Sequence, residues 1–491
     1  MDDFSPSLDE GTQNGHAGIG SYLIDRTMAG AGMLRIEMRR SVCLWLFPIL
    51  VTALCWIIYD GLPAGIWLWP DTVSSIQASI LLYGPLAGGL AAWAAGREQR
   101  RNLTNLLSTT SRPETARDLA IWAATTVWCG LAYGLAVLVF FSLTYFNATW
   151  GSPDTWPVLA GLLAIIPHAA LGYAAGRWVP SRFTAPLVAV VLYGLQGIFM
   201  FNLESSARYL APYGPDPGAS SVFYETSLNV YAPQSVWFVG LAALALATLG
   251  LKGRRNLGSW AALALAATVT VLGAVLLLRM PPPAVADERE TLVPYEHVCE
   301  EGLVPVCVHP AYETALPETV ALVDDLVGSL VSLPGAPERA EQRGRNAAPA
   351  RLLSDGTLVF DLRGGFDRWN ASMGVSFRDY MEADIAQSLV SDDMGYVGED
   401  PRFYSDDPCA KLGGSAYQAR LAVMSWLLWQ TGRYDSMESE SFTDSVNDIL
   451  CPRTKAAIER FDSLKSTERR EWLEKNYADL RAGDVTLDDL P

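Results

Sequence analysis

The chain has 491 residues, 50% of them hydrophobic and only 18% charged, a balance that does not fold as one water-soluble domain. A net charge of −17, with four His and five Lys, excludes a basic nucleic-acid binder, so no DNA or RNA partner is expected. The acid is unevenly spread: Val285 onward carries 38 acidic and 20 basic residues, against 15 and 16 before it.

Residues 1–32 are polar and read as a cytoplasmic tail, with no signal peptide ahead of the first apolar run. Residues 33–280 form a membrane domain. Within it seven apolar runs have the roughly 17–25 residues that cross a hydrocarbon core of about 30 Å as a helix. They are Val42 to Tyr59, Ile76 to Ala95, Leu119 to Phe146, Val158 to Ala175, Ala185 to Phe201, Ser235 to Leu251 and Trp260 to Leu278. In lipid each backbone amide has to be satisfied within its own segment, so helix is expected whatever the Val and Ile content.

Arginines set the orientation. Arg35, Arg39 and Arg40 precede the first span, Arg97 to Arg117 lie between the second and third, Arg177 and Arg182 follow the fourth, and Lys252, Arg254 and Arg255 follow the sixth. The alternate loops hold only Arg208. By the positive-inside rule the N-terminus is cytoplasmic, and seven spans carry everything after Arg279 outside a plasma membrane. Met280-Pro281-Pro282-Pro283 opens a stiff linker, residues 281–295, before an acidic domain, residues 296–491. That domain reads as mainly helical α+β: helix over Pro317 to Leu333, strand over Thr357 to Leu362, a buried helix over Ala416 to Trp429, then helices over Thr454 to Leu464 and Thr467 to Arg481. Ser466 is the expected N-cap of the last helix and Gly483 its stop.

In the segment 97–118, Leu103, Leu106 and Leu107 fall at i, i+3 and i+4, the spacing of a short amphipathic helix with arginines on its other side. A membrane-hugging loop with ordinary inner-face charge fits the same composition. The stretch Gly96-Arg97-Glu98 through Leu106-Leu107-Ser108-Thr109-Thr110-Ser111-Arg112 resembles the inner coupling segment of type-2 ATP-binding-cassette exporter permeases. Met33-Leu34-Arg35-Ile36-Glu37-Met38-Arg39-Arg40 is similar to the interfacial helix of that family. The resemblance spans about Met33 to Met280, and a seventh span and a large outside domain depart from the family's six-span plan. It implies that Glu98, Leu103, Leu106, Leu107 and Arg112 form the surface that meets a cytoplasmic ATPase, with Arg35, Glu37 and Arg39 on the interfacial helix. The strings Cys307-Val308-His309-Pro310-Ala311-Tyr312 and Trp472 through Gly483 look like outer domains of actinobacterial permease-like proteins.

ATP hydrolysis by the chain itself is not expected, because none of Lys252, Lys411, Lys455, Lys465 or Lys475 follows a glycine as a phosphate-cradling loop requires. Gly18-Ile19-Gly20 and Gly30-Ala31-Gly32 follow no strand, so no cofactor is expected. Among Asp, Glu, Lys, Arg and His, only His168, beside Pro167, falls within the expected spans, and it reads as a neutral histidine bonded to a neighbouring helix rather than a proton relay. The small residues from Gly84 to Ala95 allow close helix packing, within a bundle or between two copies.

Of seven cysteines, Cys43, Cys55 and Cys129 lie in apolar runs, while Cys299, Cys307, Cys409 and Cys451 lie in the acidic domain. An oxidising compartment favours disulfides, and the pairs Cys299–Cys307 and Cys409–Cys451 need the least ordering. A rival set, His297, Cys299, Cys307 and His309, has the donors of a tetrahedral zinc site at a spacing unlike known fingers. The carboxylates from Asp392 to Asp407 read as a solvated loop rather than an EF-hand, and no catalytic motif stands out. The expected whole is a seven-helix membrane protein with an outer domain. It would be the permease subunit of an exporter of hydrophobic or amphipathic cargo, paired as homodimer or heterodimer and driven by a separate ATPase. The alternative is a membrane-anchored extracellular binding or sensing protein.

Overall fold

The computed structural model describes residues 32–100, 114–202, 204–212, 222–226, 230–253, 256–282, 290–344, 349–372, 374–391, 414–432 and 451–491. Residues 32–40 are helical and break at Ser41, whose hydroxyl accepts from the Cys43 amide and caps α1, Val42–Asp60. The bundle continues with α2 (Trp69–Ala78), α3 (Ile80–Ala95), the single turn α4 (Arg97–Arg100), α5 (Glu114–Asn147), α6 (Trp156–Trp178), α7 (Thr184–Met200), α8 (Tyr231–Gly253) and α9 (Leu257–Leu278).

Among the described residues six helices are long and apolar enough to cross a membrane: α1, α2 with α3 as one 27-residue unit, α5, α6, Tyr231–Leu251 of α8, and α9. The fifth expected span folds as α7, which is apolar but has only 17 residues. The second span starts at Trp69, well before Ile76, because Trp69 and Pro70 open a helix in which Asp71 occupies the first turn. A carboxylate therefore sits within a span that the sequence reading left uncharged.

The bundle closes around the crossing of α3 and α6. A Cβ on Gly172 would run into the Gly88 carbonyl oxygen, and one on Gly176 into that of Ala92. Gly84, Gly88 and Ala92 thus face His168, Gly172 and Gly176 at matched four-residue steps, which lets two backbones touch. The small-residue stripe is spent inside the chain. His168 Nδ1 is 2.6 Å from the Ala164 carbonyl and can only donate to it, so Nε2 accepts from Gln196 Nε2 of α7 at 3.0 Å. This is the neutral, helix-bonded histidine the sequence suggested.

Beyond the spans, β1 (Tyr224–Thr226) pairs antiparallel with β2 (Glu290–Leu292), so the expected linker contains a strand held to a bundle loop. A five-stranded sheet follows from β3 (Val298–Glu301), β4 (Pro305–Val308), β5 (Arg339–Gln342), β6 (Arg351–Leu352) and β7 (Thr357–Phe360), in the order β3-β4-β5-β7-β6. β4, β5 and β7 run parallel, and β3 and β6 close the edges antiparallel. Parallel neighbours need a crossover, and α10 (Leu316–Val327) supplies it between β4 and β5. The helices α11 (Arg368–Ser372), α12 (Phe377–Val390), α13 (Gly414–Gln430), α14 (Pro452–Ser463) and α15 (Ser466–Ala482) complete the unit. α15 begins at Ser466, so the residue before it is Lys465 and Ser466 is inside the helix rather than its cap; Gly483 stops it in the left-handed conformation, at φ 90°. The core of this unit includes Ile66, Leu68, Val222 and Phe223, all from connections between spans.

Candidate functional site

At the bundle end away from the sheet, four helix termini converge through ion pairs. Glu37 of the 32–40 helix meets Arg97 at 2.7 Å, and Glu98 of α4 meets Arg117 of α5 at 2.9 Å. Asp118 of α5 meets Arg177 of α6 at 3.0 Å and accepts the Tyr173 hydroxyl at 2.9 Å, while Glu114 holds the same guanidinium. Gly96 ends α3 and α4 makes one turn, which swings Glu98 under the first turn of α5. Glu98 and Asp118 are both buried. Burial pushes the Glu98 carboxyl above its ordinary value against the pull of Arg117 and Arg177. A buried carboxylate with only guanidinium partners ties its segment firmly, since loss of either partner strands a charge.

Among the residues expected at an ATPase-coupling surface, Glu37 and Glu98 are therefore internal struts. Arg35 and Arg39 are exposed on the 32–40 helix. Leu103, Leu106, Leu107 and Arg112 lie outside the described residues. The sequence reading counted Arg117 and Arg177 only as inner-face charge and passed over Glu114, Asp118 and Tyr173. The available signal was the acid at Glu98, Glu114 and Asp118 placed among the arginines.

The opposite end is covered by the sheet unit. Asp71 pairs with Arg363 at 3.3 Å, the Ala64 amide donates to the Phe366 carbonyl at 2.7 Å, and the Thr149 hydroxyl donates to the Ala311 carbonyl at 2.9 Å. Arg368 lies 3.9 Å over the Tyr59 ring and donates to the Leu62 carbonyl. Two adjoining cavities of about 280 and 320 Å³ share Gly61, Asp71 and Arg363 along this contact.

Cys299 and Cys307 are direct cross-strand partners on β3 and β4 and form a disulfide. Both sulfurs of the rival zinc set are thereby consumed, and among the described residues no cluster of three or more His, Cys, Asp or Glu could hold a metal ion. Cys451 is also disulfide-bonded, while Cys409, its expected partner, lies outside the described residues. So do the carboxylates Asp392, Asp393, Glu399, Asp400, Asp406 and Asp407. His309 is fully buried, with its ring edge-on to Trp150 and Phe223 and 4.2 Å from the Tyr295 ring centroid; its Nδ1 accepts from the Ala311 amide. Burial, helped by nearby His297, pushes its pKa down to about 4, so the ring is neutral at neutral pH. His309 is thus a packing element between the sheet and the bundle loops.

No family model matches the chain, and neither a curated protein nor a solved structure matches it.

Proposed function

We propose that the chain is the permease subunit of an ATP-driven exporter, a seven-span membrane protein with a cytoplasmic N-terminus and an outer C-terminal domain. It would work as a homodimer or with a related half and carry hydrophobic or amphipathic cargo. The observation that carries the reading is the ion-pair set Glu37–Arg97, Glu98–Arg117 and Asp118–Arg177, which gathers the 32–40 helix and the ends of α3, α5 and α6 at one pole. A cytoplasmic ATPase that displaced residues 97–118 would pull on all of them together. The second span links that pole to Asp71 and the Arg363 contact at the other, so movement at one pole reaches the outer domain.

Seven crossings are supported by the path of α7. Ala185 lies against Gly89, Gln196 bonds His168 at mid-span, and Ser206 beyond the helix donates to the Met280 carbonyl at the far end of α9. At 1.5 Å per residue its 17 residues reach about 26 Å, a modest mismatch that local thinning absorbs. A second reading, a membrane-anchored sensor without transport, is favoured by the two cavities between Asp71 and Arg363.

Gentle solubilisation followed by mass spectrometry of co-purifying chains separates the two. An exporter brings an ATPase with it, and Leu103→Asp with Leu107→Asp releases that ATPase. A preparation that consistently lacks one leaves the sensor.

A further inference from the structure

A third cavity, of about 330 Å³, opens at the pole of the ion pairs, between the 32–40 helix, the start of α1, the end of α3 and the start of α5. Its lining brings together three guanidinium groups, Arg40, Arg97 and Arg100, and one carboxylate, Glu37, which is engaged on Arg97 at 2.7 Å. Arg100 is held in place from below: it donates to the Trp93 carbonyl and stacks 3.9 Å over the Trp93 ring. The floor is Ile121, Ala124 and Thr125 of α5. On the open side stands Trp45, 82% exposed, in line with Ile49 further along α1, also well exposed.

We propose that this cavity binds the phosphate headgroup of an anionic phospholipid, with one acyl chain lying along Trp45 and the outer face of α1. Three features select that ligand. Guanidinium groups match phosphate oxygens with paired donors. The cavity lies where α1 begins and α3 ends, the depth at which headgroups meet hydrocarbon and where tryptophan anchors. The apolar face beside it, Trp45 and Ile49, needs an acyl chain rather than water. An acidic segment of a protein partner would satisfy the arginines but leave that face bare, so the lipid is the better fit. The inference needs only that the helices lie in a bilayer and is independent of the export reading.

The test uses the full chain, delipidated and placed in nanodiscs of phosphatidylcholine containing a minor fraction of phosphatidylglycerol, with retained lipid counted by native mass spectrometry. Wild type should retain phosphatidylglycerol in strong preference, and Arg40→Gln with Arg100→Gln should weaken that retention by roughly thirtyfold, as two lost cationic contacts imply. Arg40→Lys with Arg100→Lys, which keeps the charge but not the paired donors, should retain the lipid better than the glutamine variant and less well than wild type. Equal retention of both lipids by wild type, or an unchanged preference in the glutamine variant, overturns the proposal. Two wild-type arms do not depend on how any variant folds. If glycerol phosphate displaces the lipid as well as phosphatidylglycerol itself does, the site is for soluble phosphate. If an oligo-aspartate peptide does so, it is for an acidic protein. Failure of both competitors supports the lipid.

Discussion

The two poles of the bundle are held in different ways. At one, helix termini meet through carboxylate–guanidinium pairs beside a small apolar cluster that includes Ala95, Ile121 and Tyr173. At the other, Ile66, Leu68, Val222 and Phe223 enter the core of the sheet unit, and the polar contacts merely frame them. Apolar burial is non-directional and collective, so the shared core holds the C-terminal unit in one place. Ion pairs are directional and few, and they can exchange partners when charge arrives. Under the proposed export reading, motion driven by a docked ATPase would enter at the first pole.

The largest expected effect probes the shared core. Phe223→Ala, which empties a ring packed against His309 and Tyr295, should destabilise the C-terminal unit by about 3–5 kcal/mol. Limited proteolysis should then cleave beyond residue 290 far faster than in wild type; unchanged resistance would show that the bundle loops are not part of that core. Next comes the ion-pair pole, where Arg177→Ala strands buried Asp118 and should lower stability by about 3 kcal/mol, read as a lower detergent-solubilised Tm. Arg177→Ala with Asp118→Asn should recover much of that loss.

A pH profile sharpens the same contrast. His309 titrates near 4 when folded and near 6.5 when unfolded, so its contribution is complete above about 6.5 and is lost as pH falls toward 4. Asp384, raised to about 6 by burial, acts in the opposite sense, gaining stability as acid protonates it. Comparison with His309→Gln cancels that opposing group: the difference in Tm between wild type and variant should shrink between pH 7 and pH 5. A difference that stays constant would remove His309 from the acid response. The smallest effect is expected for Arg97→Ala, whose partly exposed pair with Glu37 should contribute no more than about 1 kcal/mol, measured by the same melts.

Much of the fold was legible where length and chemistry act locally. Six of the seven apolar runs became helices of spanning length, α13 fell within two residues of its expected ends, and Gly483 stopped α15. The Cys299–Cys307 pair was readable because the two thiols are close in sequence. What escaped was non-local. β5 and β6 have four and two residues, too few to show a period, and they exist because β7 lies between them. β1 and β2 come from opposite sides of two spans. Helix α12 has no apolar stripe to announce it, since it is covered on several sides, and only its Ser376–Asp379 capping box marked its start.

The candidate site followed the same division. Glu37 and Glu98 were singled out by the family resemblance alone, and their role as struts depends on Arg97, Arg117 and the helices that carry them. Hydrophobic length by itself determined that this chain makes membrane-length helices, because a backbone without water has to bond to itself. Which carboxylate meets which guanidinium, that the small residues of α3 are used against α6, and that loops between spans finish the core of the C-terminal unit were decided only in three dimensions. Each depends on surfaces that come together after the helices have formed.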